Sequence, residues 1–256
     1  MKLAFRKYGA GKPLLILHGL FGQSDNWNTL AKNFSENNFE VFAIDLRNHG
    51  LSPHSDDWNY EVMANDILEF INDNNLMQPI IIGHSMGGKV AMTFALNFDG
   101  IIDKLIVVDI SPINYPAHHH EVLHALNEVD FNKLHTRKEV EDILANSISD
   151  FGTRQFLLKN IYWENTIENK MNWRFNLNVI SKNYNEILNE VTHKFSLVNT
   201  LFIRGEKSKY ILDSHINSIN ERFPNAKLVS IPNAGHWVHA EQPKLFYEEV
   251  LNFLVN

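Results

Sequence analysis

The apolar runs at residues 14–17, 40–44, 79–82, 104–109, 200–204 and 227–231 are short and nearly continuous, without the alternation of a strand that faces water on one side. Strands of that kind are buried on both faces, which happens when helices cover both sides of a mainly parallel sheet. A leading strand is expected over 2–8. Helical spacing fills the intervals: Val62, Met63, Ile67, Phe70 and Ile71 recur at helical period within 59–74, a second helix fits 89–98, and a third fits 243–254 with Pro243 at its first position. The expected fold class is α/β, a mainly parallel sheet flanked by helices.

That rhythm breaks between Ile113 and about Asn185, where no strand-like run is evident and aromatic-rich helical patterns take over. This stretch is expected to be a helical cap, inserted over 113–185 into a core made of 1–112 and 186–256. It holds Tyr115, Phe131, Phe151, Phe156, Tyr162, Trp163, Trp173, Phe175 and Tyr184. The plain reading is ordinary core between cap and body; the functional alternative is that some of these rings line an apolar substrate pocket.

The chain has 256 residues, 44% of them hydrophobic, enough for one catalytic body carrying an insertion. Its formal charge of −7 provides no basic field to hold nucleic acid, and none is expected as a partner. There is no cysteine, so disulfides, thiolate nucleophiles and cysteine metal sites are excluded. Arg6 and Lys7 interrupt the N-terminal residues too early for a signal peptide, and the run from Leu14 to Phe21 is broken by His18 and Gly19. A soluble, cytoplasmic protein without membrane insertion is expected.

Chemistry enters at Gly83-His84-Ser85-Met86-Gly87-Gly88, directly after the apolar run 79–82 and directly before the helix that opens at Lys89. A serine on a tight strand-to-helix bend, flanked by glycines, is the G-x-S-x-G nucleophile elbow, and Ser85 is the expected nucleophile. The helix start behind it directs free N–H groups at developing negative charge. His18-Gly19-Leu20-Phe21-Gly22 occupies the matching position after the run 14–17. Acyl transfer passes through a tetrahedral oxyanion, and the expected donors to it are the backbone N–H groups of Met86 and Leu20, with Phe21 as the alternative to Leu20. His18 is expected to shape the loop. Asn233-Ala234-Gly235-His236-Trp237 follows the last strand, where this chain order puts the general base, so His236 takes that role and His239 a packing role.

The chain resembles the α/β-hydrolase superfamily and, within it, bacterial esterases of the YbfF type. The resemblance is carried by His18 to Gly22, by Asp45-Leu46-Arg47-Asn48-His49-Gly50-Leu51-Ser52-Pro53, by Gly83 to Lys89, and by Asp109-Ile110-Ser111-Pro112. It continues through Phe156-Leu157-Leu158-Lys159, Trp173-Arg174-Phe175-Asn176 and Gly235-His236-Trp237-Val238-His239-Ala240-Glu241. In most of the superfamily the triad acid sits in a Gly-x-x-Asp turn after the strand at 200–204. Here that turn reads Gly205-Glu206-Lys207-Ser208, with a serine where the aspartate belongs.

The YbfF-type resemblance implies Asp109 instead, and its place at the end of the strand after the nucleophile strand agrees, since α/β sheets bind ligands at that edge. Glu206 is the second candidate. A structural Asp109 would cap the Ser111-Pro112 turn. Asp45, by contrast, belongs to a string that shapes the site in the superfamily. The run His118-His119-His120 suggests a metal, but adjacent histidines on a helix point in different directions and no second ligand cluster is evident; no metal and no cofactor are expected. The expected activity is hydrolysis of a carboxylic ester or acyl thioester, a small-molecule substrate, through an acyl-Ser85 intermediate. The alternatives are a triad-bearing lyase or synthase of the menaquinone-pathway type and a non-catalytic ligand receptor on the same fold. Oligomeric state is not legible in the residues.

Overall fold

The computed structural model of the chain describes residues 1–117, 119–165 and 170–255. Its strands are β1 (Phe5–Tyr8), β2 (Lys12–Leu17), β3 (Phe39–Ile44), β4 (Ile80–His84), β5 (Lys104–Val108), β6 (Ile161–Asn165), β7 (Lys170–Trp173), β8 (Asn199–Gly205) and β9 (Ala226–Ile231). The α-helices are α1 (Asn28–Ser35), α2 (Tyr60–Asp73), α3 (Met86–Asn97), α4 (His120–Asn127), α5 (Arg137–Ala145), α6 (Phe151–Leu158), α7 (Leu177–Lys182), α8 (Ile216–Arg222), α9 (Val238–Glu241) and α10 (Pro243–Val255).

Seven strands form one sheet in the order β1-β3-β2-β4-β5-β8-β9. All neighbours are parallel except β1, which pairs antiparallel with β3 at the edge. Side chains of a strand alternate between faces, and the two cores divide accordingly. Leu15, Leu17, Ile81, Leu105 and Val107 pack against Met63, Ile67, Val90 and Phe94 of α2 and α3. Leu14, Ile16, Ile80, Ile82, Ile106 and Val108 pack on the other face against Leu30, Phe34, Phe246 and Val250 of α1 and α10. Burial on both faces is why these strands read as unbroken apolar runs. The helix expected at 59–74 starts at Tyr60, because the Asn59 side chain caps it by accepting the Val62 N–H at 2.9 Å.

The segment between β5 and β8 holds α4 to α7 and also β6 and β7, which pair as an antiparallel two-stranded sheet. The expectation of a stretch without strands is therefore corrected. β6 and β7 bury only one side, Ile161 on the first and Met171 with Trp173 on the second, and their outward positions include Glu164 and Lys170, which pair as ions. Polar outward residues broke up the apolar run that signals a doubly buried strand. Of the segment's rings, Trp173, Phe175 and Tyr184 are buried in the core, whereas Phe151 and Trp163 are exposed.

Both roots of this segment are tied to the helix behind the elbow. Lys89 of α3 is fully buried, and its ammonium donates to the carbonyls of Ile113 at 2.8 Å and of Asn189, one from each root, with Leu188 at 3.4 Å. The rings of Tyr115 and Tyr60 lie 4.9 and 5.6 Å from it. Burial pushes the Lys89 amine down to about 7.

Candidate active site

Every side chain of the site sits at the C-terminal edge of the parallel strands, where the chain must turn from strand to loop. Ser85 lies between β4 and α3 with φ 52° and ψ −117°, outside the regions an L-residue ordinarily adopts. The bend is possible because its neighbours lack side chains: a Cβ on Gly83 would fall 2.3 Å from the Gly87 carbonyl oxygen, and one on Gly87 would fall 2.4 Å from that of Leu17. The Ser85 amide donates to the Val108 carbonyl at 3.0 Å, which fixes the elbow to the next strand.

His236 follows β9, and its Nε2 lies 3.0 Å from Ser85 Oγ. Its Nδ1 lies 2.7 Å from Asp109 Oδ2. Asp109 directly follows β5, with φ 52°, and is fully buried. Its other carboxylate oxygen accepts the Gly205 N–H at 3.0 Å, and Oδ2 also accepts the Ser208 hydroxyl. Burial pushes the Asp109 carboxyl up to about 7, against the opposing pull of the Ser208 and Gly205 donors. The structure thus brings together Ser85, His236 and Asp109, and puts Ser208, at the turn position where an acid was expected, against the Asp109 carboxylate. Glu206, the other candidate, is exposed and accepts the Asn233 N–H at 3.0 Å.

The loop at 18–22 approaches the elbow closely, since a Cβ on Gly19 would fall 3.3 Å from Ser85 Cβ. Phe21 donates its N–H to His49 Nε2 at 3.2 Å, which removes it as a donor to a substrate. The N–H groups of Leu20 and Met86 have no acceptor within hydrogen-bond distance among the described residues. His18 accepts the Leu46 N–H at Nε2 and donates from Nδ1 to the Gly19 carbonyl at 2.8 Å. His49 does the same between Phe21 N and Arg47 O. Burial lowers both imidazoles, to about 4 for His18 and about 3 for His49, so each is a neutral ring with a fixed tautomer. Asp45 accepts the Ser24 and Leu51 N–H groups at 2.6 and 2.9 Å and makes no contact with His236.

Three further residues hold His236, and sequence reasoning missed all of these contacts. The Tyr210 ring stacks on His236 with centroids 3.8 Å apart and planes 19° from parallel. Glu241 accepts the N–H groups of Gly235 and Trp237 on either side of His236, at 2.8 and 3.2 Å. His84 donates Nε2–H to the His236 carbonyl at 2.9 Å. Glu241 stands in the quoted Gly235 to Glu241 string, but nothing in its residue type announces the contact. His239 stacks on Trp27 at 4.1 Å and packs edge-on to His84, a packing position. His118 lies outside the described residues; His119 Nδ1 lies 2.8 Å from the Tyr184 hydroxyl. Among the described residues no group of three or more side chains is arranged to hold a metal ion.

A cleft of about 770 Å³ opens over Ser85 and His236. Leu20, Phe21 and Trp237 line it from the sheet side, and Val122, Phe156 and Leu157 from the inserted segment. Phe156, 5.3 Å from Trp237 between ring centroids, is the one ring of the inserted segment named at sequence level that reaches this wall. No helix among the described residues is long and apolar enough to cross a membrane.

A buried carboxylate, an imidazole and a serine on a strand-to-helix bend, at the carboxyl edge of a parallel sheet, define a hydrolase-type site on an α/β scaffold. The chain belongs to the α/β-hydrolase fold family, whose model matches residues 12–243. It is 40% identical over 243 residues to a putative esterase/lipase of Haemophilus influenzae, covering 94% of this chain and 82% of that protein. It is 34% identical to esterase YbfF of Escherichia coli, covering 99% of each chain. Among solved structures it is similar to a marine microorganism esterase, with a TM-score of 0.95, 45% identity and 99% of both chains covered.

Proposed function

We propose that the protein is a serine hydrolase cleaving carboxylic esters or acyl thioesters, with Ser85, His236 and Asp109 as its triad. The observation that carries this reading is the unbroken hydrogen-bonded line from Ser85 Oγ through His236 to Asp109, at 3.0 and 2.7 Å, beneath an apolar-walled cleft. The relatives named as esterases support the substrate class. Residues 113–185 act as the cap over a core of 1–112 and 186–256, and contribute Phe156 to the acyl-binding wall.

Ser85 Oγ attacks the carbonyl carbon while its proton passes to His236 Nε2. Asp109, bound to Nδ1–H, holds the productive tautomer and stabilises the imidazolium. Leu20 and Met86 N–H groups receive the tetrahedral oxyanion, each such hydrogen bond contributing roughly 3–4 kcal/mol to the transition state. His236 returns the proton to the departing alkoxide or thiolate and leaves an acyl-Ser85 ester. Water, deprotonated by the same nitrogen, hydrolyses that ester.

The test is labelling with a fluorophosphonate, read by intact mass, alongside p-nitrophenyl esters from acetate to palmitate and acyl-coenzyme A thioesters. Wild-type protein gains one phosphonyl group on Ser85, and Ser85→Ala gains none and loses turnover. Full esterase activity in Ser85→Ala refutes the scheme.

A further inference from the structure

The loop that carries Leu20 is held from outside the sheet, by a residue of the inserted segment. Asn160 follows α6, is 1% exposed, and donates from Nδ2 to the Phe21 carbonyl at 2.8 Å. Its own backbone is anchored on both sides, N–H to the Leu157 carbonyl at 3.0 Å and carbonyl from Arg174 N–H at 2.8 Å. The Phe156 and Leu157 carbonyls also face Nδ2, at 3.4 and 3.3 Å, so the nitrogen of the amide is the atom that belongs there. Its Oδ1 is buried with no hydrogen-bond partner. Leucine has nearly the same size and would avoid that unpaired oxygen, so packing alone does not account for an asparagine here.

Peptide planarity gives this contact a reach beyond Phe21. The Phe21 carbonyl and the Gly22 N–H share one rigid plane. Gly22 N–H donates to the Gly19 carbonyl at 2.9 Å, beside the His18 Nδ1–H at 2.8 Å, and that carbonyl shares its plane with Leu20 N–H. In a trans peptide the N–H points opposite to the C=O, so fixing the Gly19 oxygen fixes the direction of the Leu20 N–H. Phe21 itself sits at φ 58°, a left-handed conformation that a non-glycine residue keeps only when its surroundings hold it.

We propose that Asn160 is a positioning residue for the oxyanion donor: through two coupled peptide planes it aims the Leu20 N–H at the point above Ser85. The inserted segment thereby adds to the hold that His18 and His49 exert on the loop from the sheet side. This inference rests on the Ser85 reading of the site, and the experiment separates the two.

Asn160→Ala and the nearly isosteric Asn160→Leu are compared with wild type for kcat and KM on p-nitrophenyl butyrate, and for affinity toward an alkyl trifluoromethyl ketone. That inhibitor adds to Ser85 and places a hemiketal oxygen at the oxyanion position. Both variants are expected to lose ~10–100-fold in kcat, less than the ~10²–10³-fold lost when a donor is deleted outright, with KM changed less than about threefold. Ketone affinity should weaken by the same factor as kcat. Gln23→Ala, which removes the long 3.3 Å contact from Gln23 Nε2 to the Lys159 carbonyl between the same two parts of the molecule without touching Phe21, should keep kcat within about twofold. Thermal midpoints show which variants are folded, and Asn160→Leu retains the packing if Asn160→Ala does not. Unchanged ketone affinity in a folded Asn160 variant overturns the proposal, and so does an equal loss in Gln23→Ala. Failure of wild type to form any ketone adduct overturns the Ser85 reading itself.

Discussion

Replacing Asp109 by asparagine keeps volume and shape but reverses the direction of one hydrogen bond. Oδ1 can still accept from Gly205 N–H, because that contact needs only an oxygen. The amide nitrogen then occupies the place of Oδ2, 2.7 Å from His236 Nδ1, and can only donate. His236 must accept at Nδ1 and carry its proton on Nε2, the atom 3.0 Å from Ser85 Oγ. A protonated Nε2 cannot take the serine proton, so the base is present in the wrong tautomer. The comparable substitution in a serine protease lowers kcat by about 10⁴, equivalent to about 5 kcal/mol in the barrier. The same loss is expected here, with KM for p-nitrophenyl butyrate nearly unchanged and the thermal midpoint retained. Glu206→Gln, remote from the imidazole, should stay within about twofold of wild type by the rule for exposed positions. A loss smaller than tenfold in Asp109→Asn, or a large one in Glu206→Gln, would show that Asp109 does not orient the base.

In the proposed triad Asp109 works as a carboxylate, and burial pushes its proton release up to about 7, so turnover is expected to fall as pH drops through that region, on an acidic limb that belongs to the coupled Asp109–His236 pair. Ser208→Ala removes a donor that favours the charged form, and should move that limb about 1 to 2 pH units upward, as read from kcat/KM against pH; a shift downward would contradict the geometry. Lys89→Met leaves the carbonyls of Ile113 and Asn189 without their donor and should cost about 2 kcal/mol, roughly 5 °C in thermal midpoint. Limited proteolysis should then cut near the Ile113 and Asn189 roots before the sheet unfolds, and an unchanged midpoint with unchanged cleavage would count against the tie.

Some of the site could be read from residue order because the constraint there is local. Gly83 and Gly87 around Ser85 report a bend that tolerates no Cβ, and the apolar run before them with the helix after them specifies where that bend lies in the sheet. His236 was legible for the same reason, as a loop residue directly after the last strand. Asp109 was harder, because the turn after β8 offered Ser208 where an acid was expected. The β6–β7 hairpin was not legible, since its polar outward face hides the apolar one.

Residue order by itself determined the layered sheet, the strand-to-helix bend at Ser85, and the loops that carry Leu20 and His236. These follow from neighbours along the chain: hydrophobic period, glycine placement and chain direction. Tertiary structure alone decided that Ser208 serves Asp109, that Tyr210 and Glu241 hold His236, that His49 takes the Phe21 N–H, and that Asn160 reaches its carbonyl from 139 positions away. Each of those contacts joins residues with no periodic or spacing relation, and hydrogen-bond partners far apart in the chain are selected by packing, which residue order does not display.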